Sequence, residues 1–209
     1  MGRPIAGGRQ RIGLLGGSFN PAHEGHRFAS MVALRRLKLD RLWWLVSPQN
    51  PLKGQADMAP LALRLAAAAA CARHPRIEVT DMERELGTRF TVDTMERLRR
   101  RYPNARFVWL AGADILPEMH RWRHWRRLFS IVRIAVLDRP GYAYRAKVCA
   151  VAQAMRLGRR RESDAAGLWR QSVPAWVFLH GRRHSASGTA LRQMKNGPKR
   201  LPQTAGAPI

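Results

Sequence analysis

The stretch Arg41–Ser47, RLWWLVS, constrains the fold more than any other, because its apolar residues are consecutive rather than spaced. A strand with one wet face alternates, and an amphipathic helix repeats every three to four residues. An unbroken apolar run this short belongs to a strand covered on both faces. Arg106–Ala111 (RFVWLA), Arg133–Leu137 (RIAVL) and Trp176–Leu179 (WVFL) have the same character, and Ile12–Leu15 and Ile77–Thr80 read as shorter buried strands. Between them lie four helical segments. His23–Arg36 has Phe28, Met31, Val32 and Leu34–Leu37 on its apolar side, Pro60–Arg73 opens on proline and is rich in alanine, and Thr91–Tyr102 and Tyr144–Leu157 follow. Strands that alternate with helices predict an α/β fold, a doubly wound, Rossmann-like parallel sheet with helices on both faces. A chain of 209 residues suits one such domain. Its expected span is 11–195, with a disordered basic leader at 1–10, a disordered tail at 196–209 and a charged connector at Gly158–Asp164.

Within that frame the chemistry concentrates at Gly13–His26, GLLGGSFNPAHEGH. Gly16 and Gly17 end the first strand and allow close backbone approach or unusual φ angles. Asn20-Pro21 marks a turn, and Thr91 is a plausible cap for the helix it precedes, with Asp93 favourable in its first turn. The opening turn of the helix that begins near His23 carries N–H groups without intrahelical acceptors and the positive end of the helix dipole, a natural seat for phosphate. His23 and His26, three residues apart, fall on one face of that turn, and Gly25 keeps the face open. The turn matches neither of two common phosphate-binding patterns. No Gly-Lys-Ser/Thr follows, as a Walker A loop requires, and the GxGxxG dinucleotide pattern is absent.

The string GGSFNPAHEGH resembles the GG-(T/S)-F-(D/N)-P-x-H-x-GH signature of the nucleotidylyltransferase superfamily. That resemblance implies ATP phosphates held by His23 and His26, with Gly16, Gly17, Ser18, Phe19 and Gly25 around them. Further segments are similar to the nicotinate-nucleotide adenylyltransferase branch. ERELGTRFTVDT (Glu83–Thr94) and GADILPEMHRW (Gly112–Trp122) match its acceptor-side segments, implying Thr91 and Trp122 near the acceptor and Asp114 near the nucleotide ribose. Lys53 and Arg139 match positions that the resemblance also gives to the acceptor. Ser187-Gly188-Thr189-Ala190-Leu191-Arg192 resembles the motif opening the superfamily's last phosphate-binding helix, which implies Ser187, Gly188 and Thr189 at phosphate and Arg192 in catalysis. Glycine at 188, where the motif has serine, removes one hydroxyl and keeps the backbone N–H.

The resemblance implies a nucleotidyltransferase that joins ATP to nicotinate mononucleotide in NAD biosynthesis, with Mg²⁺ arriving on the triphosphate and no protein-bound metal. A pantetheine-phosphate adenylyltransferase or a cytidylyltransferase is the alternative within the superfamily, and a non-catalytic basic nucleotide- or RNA-binding protein the alternative outside it. The net charge of +24 bears on the last of these. Its arginines are spread along the chain without an RNA-module signature, so no specific nucleic-acid partner is expected. No apolar run reaches a membrane span, and no apolar core follows the basic N-terminus, so a cytoplasmic protein is expected. Cys71 and Cys149, without a CxxC or Cys/His cluster, read as reduced thiols. The oligomeric state is not legible.

Overall fold

The computed structural model describes residues 9–48 and 58–181. Seven parallel strands make one sheet in the order β3-β2-β1-β4-β5-β7-β6, where β1 is Arg11–Gly17, β2 Arg41–Val46, β3 Ile77–Thr80, β4 Arg106–Gly112, β5 Arg133–Leu137, β6 Arg159–Arg160 and β7 Trp176–Leu179. The doubly wound α/β fold is as expected.

The consecutive apolar runs are explained by two cores, one on each face. Trp43, Leu45 and Trp109 point into one core, with Met95, Leu98 and Phe129. Their neighbours Trp44, Val46 and Leu110 point into the other, with Leu34, Leu37 and Ala68. Helices α3 (Met82–Glu85), α4 (Thr91–Arg101) and α5 (Trp125–Ile131) cover the first face, and α1 (Glu24–Arg36) and α2 (Leu61–Ala72) the second. Side chains of a strand alternate between faces, so only a doubly covered sheet buries adjacent tryptophans at 43 and 44. Both are fully buried.

Several boundaries and faces differ from expectation. The buried stripe of α1 is Ser30, Ala33 and Leu34, continuing to Leu37, whereas Phe28, Met31 and Val32 are only half-buried. Ser30 belongs inside because its hydroxyl accepts from the Trp44 indole at 2.8 Å and donates to the His26 carbonyl at 2.8 Å. The helix expected over Tyr144–Leu157 is two short ones, α6 (Ala143–Val148) and α7 (Ala150–Ala154). Cys149 between them is extended (ψ 160°), which re-aims Val151 and Ala152 into the core. The segment expected as a connector contains β6 and the start of a 3₁₀ helix that runs over Glu162–Arg170. A two-residue edge strand carries no periodicity to read.

The winding reverses at β1. Strands β2 and β3 lie on one side of it, and β4, β5, β7 and β6 on the other. The crevice beyond the C-terminal ends of β1 and β4 is therefore the topological switch point, where open α/β sheets bind ligands.

Candidate active site

Beyond those strand ends lie two adjoining cavities of about 300 Å³ each. They share Leu15, Gly16, Gly17 and Ser18 from β1 and its turn, and Gly112 and Ile115 from the end of β4 and beyond. One holds His23, His26, Asp114 and Arg139, and the other Thr91, Trp109 and Trp122. A larger cavity of about 690 Å³ runs along the outer flank of α1 past Arg11, Asp40 and His180 and contains neither histidine.

The histidine pair is locked by the start of α1. His23 is the N-cap, and its Nδ1 accepts from the Gly25 N–H at 3.1 Å. The His26 Nδ1 accepts from the His23 N–H at 3.2 Å, so the two form a reciprocal capping box built from imidazoles. Each Nδ1 receives a backbone proton, and each neutral ring therefore carries its own proton on Nε2. The ring centroids are 3.9 Å apart, a spacing at which two imidazolium charges repel. The pair is thus set up as two Nε2–H donors beside the first-turn N–H groups of a 13-residue helix.

The turn before it is held from below. Neither Gly16 nor Gly17 has a positive φ. That conformation falls on Phe19 at 46°, and its buried ring stacks on Trp44 at 5.0 Å and braces His26 at 4.8 Å. Phe19 lines the cavity yet is anchored in the core, so packing is its visible work. Gly16 is glycine for a reason the turn does not reveal, since a Cβ there overlaps the Trp109 indole. Underneath lies Arg64, 2 % exposed. Its guanidinium donates to the carbonyls of Ser18 (2.7 Å), Ser47 (2.7 Å), Pro48 (3.1 Å) and Ala59 (2.8 Å). Burial pulls its pKa down. A single side chain from α2 thereby ties the loop after β1 to the loop after β2.

In the same cavity, Arg139 donates to the Asp114 carboxylate. The motif groups Arg139 with the acceptor residues; the structure places it with the histidines, apart from Thr91 and Trp122. The other Asp114 oxygen folds over Gly112, where a Cβ would overlap it, and is buried with no partner among the described residues. An orphaned acceptor at the switch point suits a ribose hydroxyl.

In the second cavity Trp122 meets Trp109 edge-on, with centroids 6.3 Å apart and planes at 81°. The Trp109 indole N–H is buried without an acceptor among the described residues. Thr91 is not the cap of α4. Phe90 is the N-cap and makes no side-chain cap bond, while Thr91 is the first helical residue. The wall opposite includes Glu83, 6 % exposed, whose pKa burial pushes up to about 7 despite a hydrogen bond from Ser47. Pattern and motif do not single out Arg64 or Trp109, and Glu83 enters only as the first residue of the ERELGTRFTVDT segment, with no role attached. Arg64 leaves a trace, as a charge interrupting an alanine-rich helix. Lys53, Ser187, Gly188, Thr189 and Arg192 lie outside the described residues.

A parallel sheet with a histidine-capped helix at its switch point defines a nucleotide-handling α/β protein. The chain belongs to the cytidylyltransferase-like family, whose profile matches residues 14–194. It is 53 % identical over 182 residues to a probable nicotinate-nucleotide adenylyltransferase of Methylorubrum extorquens, covering 87 % of this chain and 98 % of that one. A protein of the same description from Agrobacterium fabrum is 46 % identical over 181 residues, covering 87 % and 97 %. At that identity and coverage, the chain belongs with the nicotinate-nucleotide adenylyltransferases. In fold it resembles the Plasmodium falciparum nicotinic acid mononucleotide adenylyltransferase solved with NaAD, with a TM-score of 0.64 at 14 % identity over 88 % of this chain and 83 % of that one.

Proposed function

We propose that this chain transfers the adenylyl group of MgATP to nicotinate mononucleotide, releasing pyrophosphate and forming nicotinate adenine dinucleotide. The observation that carries the reading is the imidazole capping box, which aims two neutral donors at the seat of a phosphate beside a cavity walled by tryptophan. The nucleophile is a phosphate monoester oxygen, already anionic at neutral pH, so the reaction requires no general base and no covalent enzyme intermediate. It requires alignment of the two substrates and stabilisation of charge on the α-phosphate. The Nε2–H groups of His23 and His26 and the positive end of the α1 dipole supply that stabilisation as fixed dipoles. Mg²⁺ arrives as part of the substrate. Among the described residues no group of three or more His, Cys, Asp or Glu is placed to hold a metal of its own.

The remaining assignments follow the two cavities. Ser18, Gly25 and Asp114 serve the nucleotide, with Arg139 beside Asp114. Trp122 offers its face to the pyridine ring. Backbone donors at Thr91 and the first turn of α4 receive the ring carboxylate by charge-assisted bonds. The amide of nicotinamide mononucleotide presents N–H donors to those same donors, an unpaired arrangement that disfavours it. Pyrophosphate release with saturating MgATP and each mononucleotide tests the reading. The acid is expected to exceed the amide by about 100-fold or more in kcat/KM. His23→Ala and His26→Ala are each expected to lower turnover by about 10²–10³ while the fold persists. Near-wild-type turnover in both histidine variants would overturn the assignment.

A further inference from the structure

Three arginines line the tryptophan-walled cavity: Arg89, Arg121 and Arg123. Arginines around them are neutralised, Arg84 by Asp81, Arg101 by Glu85 and Arg127 by Glu96. The three in the cavity enter no ion pair among the described residues. Two of them share one ring. The Arg123 guanidinium lies 4.9 Å from the Phe90 centroid and that of Arg89 lies 6.0 Å from it. Neither guanidinium is paired with a carboxylate among the described residues, so an anion seated beside that ring meets two unneutralised positive charges. Phe90 immediately precedes Thr91 at the start of α4, so the pair sits at the entrance to the first-turn donors. The carboxyl groups facing this cavity are Glu118 and Glu83. Glu83 is buried and holds its proton up to about pH 7. Arginines thus outnumber the carboxyl groups, three to two, among the described residues of the cavity wall.

We propose that Arg89 and Arg123 are the charge-selecting residues for the acceptor, drawing the ring carboxylate of the acid mononucleotide to the start of α4 and giving the amide nothing. The proposal rests on the adenylyl-transfer reading above. Both acceptors carry the same ribose phosphate and differ only in the ring substituent. A residue acting on the phosphate therefore affects both, and one acting on the substituent affects the acid alone.

The experiment measures kcat/KM for both mononucleotides at saturating MgATP in the full chain, for wild type, Arg89→Gln, Arg123→Gln and the double variant. Arg126→Gln serves as comparison, because Arg126 stacks on Trp125 at 4.4 Å and does not line the cavity. Each single variant is expected to lose about fivefold with the acid and less than about twofold with the amide, the double variant losing more. Added salt is expected to shrink the acid-to-amide ratio of the wild type and to leave that of the double variant nearly constant, because exposed charges are screened. Equal losses with both acceptors would assign the arginines to the phosphate and overturn the proposal, as would an unchanged ratio in the double variant. A wild-type enzyme that adenylylates neither acceptor would instead overturn the adenylyl-transfer reading itself.

Discussion

Glu83 is a buried carboxyl whose ordinary pKa of 4.5 rises to about 7 in the folded chain, chiefly because burial disfavours the anion. A raised pKa means that the native state holds the proton more tightly than the unfolded one. The associated stability is complete below about pH 4.5 and is lost as pH climbs through about 7. Its size is roughly 3 kcal/mol, from the rise between 4.5 and about 7. Glu83→Gln keeps the shape and removes the titration. Chemical denaturation across pH 5 to 8 is therefore expected to show a decline in the wild type that the variant lacks. Parallel curves would mean that Glu83 is ionised throughout. Nothing in the string ERE marks its first glutamate as buried while Glu85, two places on, is more open to solvent. The difference comes from the loop after β2, which reaches Glu83 through Ser47.

At the level of elements, the turn after β1 depends on α2. Arg64 on α2 holds the Ser18 and Ser47 carbonyls together, so the turn leading to His23 is shaped by a contact 46 residues away in the chain. Arg64→Met is close in length and cannot donate. It leaves several buried carbonyls unmatched and is expected to destabilise the protein by about 3–5 kcal/mol, a fall in Tm on the order of 10 °C. A shift under about 2 °C in a thermal melt would show that the clamp is dispensable. Legibility from sequence follows the same division between local and distant causes. The strands, α1 and the histidine turn are readable because period and motif are local properties. The clamp is not, since its acceptors are backbone carbonyls and no residue type announces them. Gly16 stands out in the sequence for a turn it does not need: its constraint is Trp109 on a neighbouring strand. Arg139, grouped by resemblance with Thr91 and Trp122, lines the cavity of the histidines, because motifs record order along the chain and not which side of the β1–β4 crevice a loop falls on.

For the whole molecule, the net charge of +24 is the property least tied to the site. The charges are distributed over many elements, and local pairs such as Arg11–Asp40 (2.6 Å) and Arg41–Glu78 (2.8 Å) leave the surplus itself unchanged. Binding to single- or double-stranded nucleic acid is expected to be sequence-independent and to collapse between about 50 and 200 mM salt. A sequence-selective complex that persists at physiological salt would contradict this, and a fluorescence titration at two ionic strengths decides it. The sheet itself has a further consequence. It consists of two half-sheets, and β1 and β4 are where they meet. Both cavities take part of their walls from each half. A dinucleotide lying across that seam would act as a strap: opening either half would release it, and its affinity would add to the cohesion of the two halves. At about 100 times its dissociation constant it would stabilise the native state by roughly 2.7 kcal/mol. If the proposed product forms there, it would help to keep the halves of its own maker joined.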